Sequence, residues 1–169
     1  GIRDYKVTGV QTCALPIFAL AAFIGTTAWV YSPSIWPMIW FGAMSLGQVA
    51  DYFVFLPFRR DPTNPRSPAY RVFCCVFVFF NTALYAAISY YIWQTGQEAG
   101  RLFAIIQACG GLLHVTLYMH QQRSVLFSAL AAHACYLLGL PLTLALAAGP
   151  LSLLVFLVGG MLYIAHMAI

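Results

Sequence analysis

The chain has 169 residues, of which 62% are hydrophobic and only 7% are charged. Since a soluble domain usually carries about 25% charged residues, this composition excludes a globule that covers its whole surface with polar groups. The net charge of +4 does not indicate a nucleic-acid partner, because the arginines concentrate in one loop between apolar segments and no recognition motif accompanies them.

The N-terminal segment does not read as native protein. Residues 7–17 spell VTGVQTCALPI, which resembles the conceptual translation of a widely used sequencing-library adapter. Because an eleven-residue coincidence is improbable, we expect residues 1–17 to be a non-native tail and exclude them from fold reasoning. Residues 18–169 are then the transmembrane domain. Its last apolar run continues to Ile169, so we expect the domain to be a fragment of a longer protein.

Six apolar segments follow the tail. A bilayer core of about 30 Å needs roughly 20 apolar residues in a helix, and backbone in lipid must satisfy its own hydrogen bonds. The runs are continuous and lack the alternation of a membrane β-barrel. We therefore predict an all-α fold, a polytopic membrane bundle of about six transmembrane helices. The predicted helices cover about 18–31, 35–58, 72–93, 102–119, 125–148 and 151–169.

The breaks between these segments have local chemical causes. Proline removes a backbone donor and clashes with the preceding turn, so the turns at 32–34 and 149–150, each with a proline, should end helices. The stretch 59–68 is the one substantial polar loop. Pro141 is expected to kink the fifth helix.

The positions of the basic residues predict the orientation. Cytoplasmic loops carry an excess of Lys and Arg, and the loops after the second and fourth helices hold most of them. The topology-setting residues are Arg59, Arg60, Arg66, Arg71 and Arg123. This pattern places those two loops, and by parity both termini, in the cytoplasm. The predicted location is the bacterial inner (cytoplasmic) membrane, crossed several times.

Asp51 is the leading ionisable residue inside a predicted span, and Gln48 lies one turn before it. It lies about 10 Å from the cytoplasmic end of the second helix. Because lipid makes a buried charge costly, such a group suggests a proton-sensing or ligand-sensing carboxylate. The favoured alternative is a structural ion pair with Arg71 or Arg123, whose side chain would extend inward from the boundary.

The fourth and fifth helices carry further polar residues. Gln107, Gly111, His114 and Tyr118 follow one another at spacings of four, three and four residues, so they form one helical stripe. His133 lies in the fifth helix. Polar and small residues often join membrane helices, and this explanation is favoured. The candidate sensing set is Gln48, Asp51, Gln107, His114, Tyr118 and His133.

The histidines suggest a second chemistry. His114, His133 and His166 could converge on haem or a transition metal, since histidine is a common ligand of both. However, His114 and His133 are predicted near mid-membrane and His166 toward the cytoplasmic side. We therefore predict no metal site and no cofactor.

Two stretches resemble a known class of membrane domain. The end of the second helix, QVADYFVFLPFRR over 48–60, and the end of the fourth, GGLLHVTLYMHQQRS over 110–124, resemble the N-terminal membrane domains of bacterial sensor histidine kinases and diguanylate cyclases. The resemblance implies a cytoplasmic catalytic domain after the last helix. No phosphoacceptor dimerisation helix, ATP-binding glycine box or other catalytic motif is found in this chain, so we expect it not to be an enzyme.

The expected function is a non-catalytic membrane sensor or anchor module from a bacterial signalling protein. Its expected partners are the lipid bilayer, a second copy in a homodimer and a cytoplasmic output domain in the intact protein. Two alternatives remain: a small secondary transporter or channel, and a membrane haem or redox protein.

Overall fold

A computed structural model describes residues 5–61, 66–119 and 123–168. These residues form helices and connecting turns, with no strand among them. The helices are α1 (Tyr5–Tyr31), α2 (Trp36–Arg60), α3 (Pro68–Trp93), α4 (Glu98–Met119), α5 (Arg123–Gly139), α6 (Leu142–Ala147) and α7 (Pro150–Ala168). The predicted all-α fold is therefore confirmed.

Within the described residues, five helical segments are long and apolar enough to cross a membrane. They are Trp36–Phe58, Pro68–Trp93, Glu98–Leu117, Arg123–Ala147 and Pro150–Ala168. The apolar part of α1, Ile17–Tyr31, is shorter. The helix itself begins at Tyr5, so the predicted start at residue 18 lies inside it. The proposed foreign origin of residues 1–17 concerns their source and stays a prediction.

Local chemistry explains where the helices begin. The Ser67 hydroxyl accepts a hydrogen bond from the backbone N–H of Tyr70 at 3.3 Å, and Pro68 takes the first helical position. Both are preferred at a helix start, which places the beginning of α3 before the predicted residue 72. Gly149 has φ +102°, a conformation that side chains disfavour, and Pro150 begins α7 directly after it.

The predicted fifth helix is divided in two. α5 ends at Gly139, and the short α6 begins at Leu142, directly after Pro141. Proline lacks the N–H that would continue the helical bonding and its ring clashes with the carbonyl four residues earlier. The expected kink is therefore an interruption of the helix.

α3 lies at the centre of the bundle and packs against α1, α2, α4 and α5. One apolar core lies between α3, α4 and α5, with Val78, Leu112 and Leu130 among its members. A second lies between α1, α2 and α3 around Met44 and Ile88. α7 packs at the periphery against α5, α6 and α4, and none of its described residues is buried.

The arginines gather at one end of the bundle. The short turn 94–97 joins α3 to α4, and α5 begins four residues after α4 ends, which places the start of α3, the end of α4 and the start of α5 at this end. Arg60, Arg71 and Arg123 are exposed there. Arg66 donates to the carbonyls of Pro57 and Asp61 and lies over the Phe58 ring, 5.8 Å from its centroid. The Arg59 side chain lies outside the described part of the chain.

The opposite end carries one arginine among the described residues. The Arg101 guanidinium lies 5.6 Å from the centroid of the Trp93 ring. Leu140 and Ala104 pack with that tryptophan, so the end of α3, the start of α4 and the end of α5 meet here. The charge asymmetry expected from the sequence is therefore present in the fold.

Candidate functional site

Four helices meet at Leu84 and Tyr85, near the middle of α3. From α2, the indole N–H of Trp40 donates to the Leu84 carbonyl at 2.8 Å, and its ring lies 6.2 Å from the Tyr85 ring. From α4, Gln107 Nε2 donates to the Tyr85 carbonyl at 3.4 Å. From α5, the His133 imidazole meets the Tyr85 ring edge to face at 6.2 Å and 80°. One turn of α3 thus holds side chains from α2, α4 and α5.

His133 is 1% exposed, and its ring lies directly against the backbone of α4. A Cβ at Gly111 would overlap three atoms of the imidazole ring. The His133 ring of α5 can therefore approach the backbone of α4 this closely only because residue 111 lacks a side chain. Small residues are common where membrane helices pack closely. The glycine of the predicted α4 stripe is a contact surface for the histidine of α5.

Three buried polar atoms in this region have no hydrogen-bond partner among the described residues. They are Ser89 Oγ on α3, Gln107 Oε1 on α4 and His133 Nδ1 on α5. A buried polar group left unsatisfied costs about 1–3 kcal/mol, and native structures normally provide it with a partner. We refer to Tyr85, Ser89, Gln107, Gly111 and His133 together as the Tyr85 cluster.

The structure brings together only part of the predicted sensing set. Gln107 and His133 both contact Tyr85. His114 follows on α4 but is exposed. The side chain of Tyr118 lies outside the described part of the chain, so its predicted role is not tested.

Asp51 and Gln48 belong to a different level of the bundle. Both are half-buried on α2, and Asp51 is near enough to Cys74 for an electrostatic interaction. Cys74 precedes Tyr85 by eleven residues, about 16 Å along the axis of α3. Asp51 is therefore well separated from the Tyr85 cluster. Its predicted ion pair with Arg71 or Arg123 stays a prediction.

Tyr85 and Ser89 were not among the site residues predicted from the sequence. The sequence does contain a pattern that indicates them. Polar residues recur every four positions on α3, at Asn81, Tyr85 and Ser89, which is the spacing of one helical face. The Asn81 carboxamide lies where a Cβ of Gly47 on α2 would be, whereas Ser89 is 0% exposed. This polar stripe crosses the centre of the bundle in the same way as the stripe noticed on α4.

Other interhelical hydrogen bonds fix the ends of the helices. The Tyr70 hydroxyl donates to the Val54 carbonyl of α2 at 2.6 Å. At the opposite end, the Tyr91 hydroxyl donates to the Ser32 carbonyl at 2.8 Å. Thr116 Oγ1 is 2.9 Å from the carbonyl of Leu112 in its own helix and 3.1 Å from the Met167 carbonyl of α7. These bonds involve complete polar pairs, which distinguishes them from the Tyr85 cluster.

Of the three histidines considered as ligands, His114 is near enough to His133 for an electrostatic interaction. His133 is buried, whereas His114 and His166 are exposed. Among the described residues, no group of three or more His, Cys, Asp or Glu side chains is arranged to hold a metal ion.

An apolar groove lies between α1 and α2, with a volume of about 590 Å³. Its lining residues are Ala22, Gly25, Thr26, Trp29, Pro37, Met38, Phe41 and Gly42. Ligand sites usually combine an apolar wall with a few convergent polar groups. Thr26 is the only hydroxyl-bearing residue in this lining, so the Tyr85 cluster is the stronger candidate site.

Comparisons with known proteins do not assign the chain to a family. No protein-family model matches it, and no curated protein or solved structure matches it either.

Proposed function

We propose that the chain is a non-catalytic sensor or anchor module of a bacterial signal-transduction protein, such as a histidine kinase or a diguanylate cyclase. The observation that carries the proposal is a contrast within the bundle. The centre holds unsatisfied polar atoms from three helices, while the last helix, α7, has no buried residue in its described part.

The Tyr85 cluster is the proposed receiving element. Its buried polar atoms have no hydrogen-bond partner among the described residues, so a change in the hydrogen bonds available to them, or in the separation of the helices, can shift the packing. A signal moves such an equilibrium only by interacting differently with the two states. Because α2, α4 and α5 all contact Leu84 or Tyr85 of α3, a small rotation of one helix alters the contacts of the others.

α7 is the proposed output element. Its connection to the rest of the bundle includes the bond between Thr116 and Met167 and the close approach of Gly160 to the Leu138 side chain. Because α7 lies at the periphery and none of its described residues is buried, it can shift at lower cost than a central helix when α4 or α5 moves.

The proposed orientation directs this output into the cytoplasm. Met167 lies near the end of α4, which is the arginine-rich end of the bundle. The positive-inside tendency places that end in the cytoplasm, in the bacterial inner membrane. An output domain that follows α7 would then lie on the side where kinases and cyclases act.

The direct test fuses the chain through Ile169 to a histidine-kinase catalytic core that drives a transcriptional reporter in bacteria. Gln107→Leu removes the polar head at similar volume, and Ile106→Leu at the exposed neighbouring position is the matched control. We expect the first variant to change the reporter output and the control to leave it unchanged, at equal amounts in the membrane. Identical outputs from both variants and the parent would refute the sensor proposal. The coding sequence of the gene provides a second test, since the proposal requires that it encode an output domain joined to α7.

No observation favours the two alternatives over the sensor. A transport pathway through Asp51 and the histidines has to connect two levels about 16 Å apart along α3, and the redox hypothesis needs histidines that converge. Flux measurements in proteoliposomes with Asp51→Asn test the first alternative, and an absorbance spectrum of the purified protein tests the second.

A further inference from the structure

The unsatisfied atoms of the Tyr85 cluster are distributed one to a helix. Ser89 is 0% exposed, Gln107 7% and His133 1%, so the bulk solvent does not satisfy them. Ser89 Oγ can donate and accept, Gln107 Oε1 accepts, and His133 Nδ1 donates or accepts according to its tautomer. The three groups therefore complement a small molecule that can both donate and accept hydrogen bonds.

The geometry places these groups along one short path. The Gln107 amide is fixed at the turn of α3 that contains Tyr85. Ser89 follows one turn later, and its side chain leans back toward that turn, because helical side chains tilt toward the N-terminus. Gly111 follows Gln107 by one turn of α4, about 6 Å, and the His133 ring lies against it. Because α4 runs antiparallel to α3, Ser89 lies on one side of the Gln107 amide along the bundle, and Gly111 with the His133 ring lies on the other. The three polar atoms are therefore spread over successive turns where α3, α4 and α5 meet.

We propose that the contact between α3, α4 and α5 is an internal hydration site, in which a short chain of water molecules runs from Ser89 Oγ past Gln107 Oε1 to His133 Nδ1. Buried water typically makes about three hydrogen bonds to polar groups that lack protein partners. A charged ligand does not suit this site, because the cluster presents no charged side chain to compensate it. The proposal does not depend on the sensor function, since an anchor or a transporter could hold the same water.

The test is a water-edited solid-state NMR experiment on the wild-type chain in lipid bilayers. We expect magnetisation from water to reach the Gln107 side-chain amide and the His133 ring. Leu112 is the dry control, because it is fully buried on α4 among apolar residues. Transfer to Gln107 or His133 that is no greater than transfer to Leu112 would overturn the proposal.

A variant tests the contribution of α3. Ser89→Ala removes one polar atom with little change of volume, and we expect a loss of water transfer to the Gln107 amide. Unchanged transfer would contradict the three-helix site. The experiment reads hydration directly, so its failure is distinguishable from a failure of the reporter assay for the proposed function.

Discussion

Adjacent glycines on α4 offer a controlled test of the packing at His133. A Cβ at Gly111 would overlap the imidazole ring, whereas a Cβ at Gly110 would meet nothing within 4 Å. The ring cannot easily move away, because His133 is 1% exposed and packed against Tyr85. Gly111→Ala and Gly110→Ala therefore make the same chemical change on two faces of one helix.

The expected change in the free energy of unfolding follows from two opposing terms. Overpacking of a close-packed interior costs about 1–3 kcal/mol, while alanine in place of glycine inside a helix gains about 1 kcal/mol. The free energy of unfolding should therefore fall by roughly 0–2 kcal/mol in Gly111→Ala and rise by up to about 1 kcal/mol in Gly110→Ala. Because the helix-propensity term is common to both, their difference isolates the steric term at about 1–3 kcal/mol.

The assay is reversible unfolding in mixed micelles with increasing denaturing detergent, followed by circular dichroism. Adding His133→Ala removes the ring that Gly111→Ala displaces, so the double variant should show a favourable coupling of about 0.5–3 kcal/mol. Equal stability of the two alanine variants would refute the close approach of α4 and α5. An absence of coupling would show that His133 is not the group displaced.

Three further predictions concern the contacts between helices and the orientation. Tyr70→Phe removes the hydroxyl that bonds the α2 carbonyl and should lower the free energy of unfolding by about 0.6–1.7 kcal/mol in the same assay. Thr116→Val removes the bond to Met167; at about 0.6 kcal/mol per interhelical bond, hydrogen exchange in α7 should accelerate about threefold. In intact bacteria carrying a variant without native cysteines, an impermeant maleimide should label Gln94→Cys but not Ala69→Cys, because the latter lies at the arginine-rich end.

Each of these has a contradicting result, and two of them have a control. Thr27→Val removes a hydroxyl that bonds within α1, so it should leave exchange in α7 unchanged. If Thr116→Val behaves in the same way, α7 is not held by that bond. Wild-type stability of Tyr70→Phe would contradict its interhelical role. Permeabilised cells should label both cysteine variants, and the reverse pattern in intact cells would invert the proposed orientation.

The sequence alone determined the helical segments and their breaks. Hydropathy, the prolines at 33, 141 and 150, and the arginines near 59–71 act over a few neighbouring residues, so they can be interpreted without knowing the fold. The cap at Ser67 moved the start of α3 by a few residues, since local chemistry sets the element but not its last turn. Two differences were larger: Pro141 divides the predicted fifth helix in two, and α1 begins at Tyr5 and not at residue 18.

Only the tertiary structure decided which polar residues meet. The stripe on α4 identified Gln107 and Gly111 as neighbours, but not their contacts with Tyr85 and His133. In the tertiary structure, His114 is exposed and Asp51 lies at a different level of the bundle from Tyr85. The physical reason is that a helical stripe fixes positions around one axis, whereas contact depends on how each helix is rotated and shifted against the others. That rotation is set by close packing across several helices, which no single segment encodes.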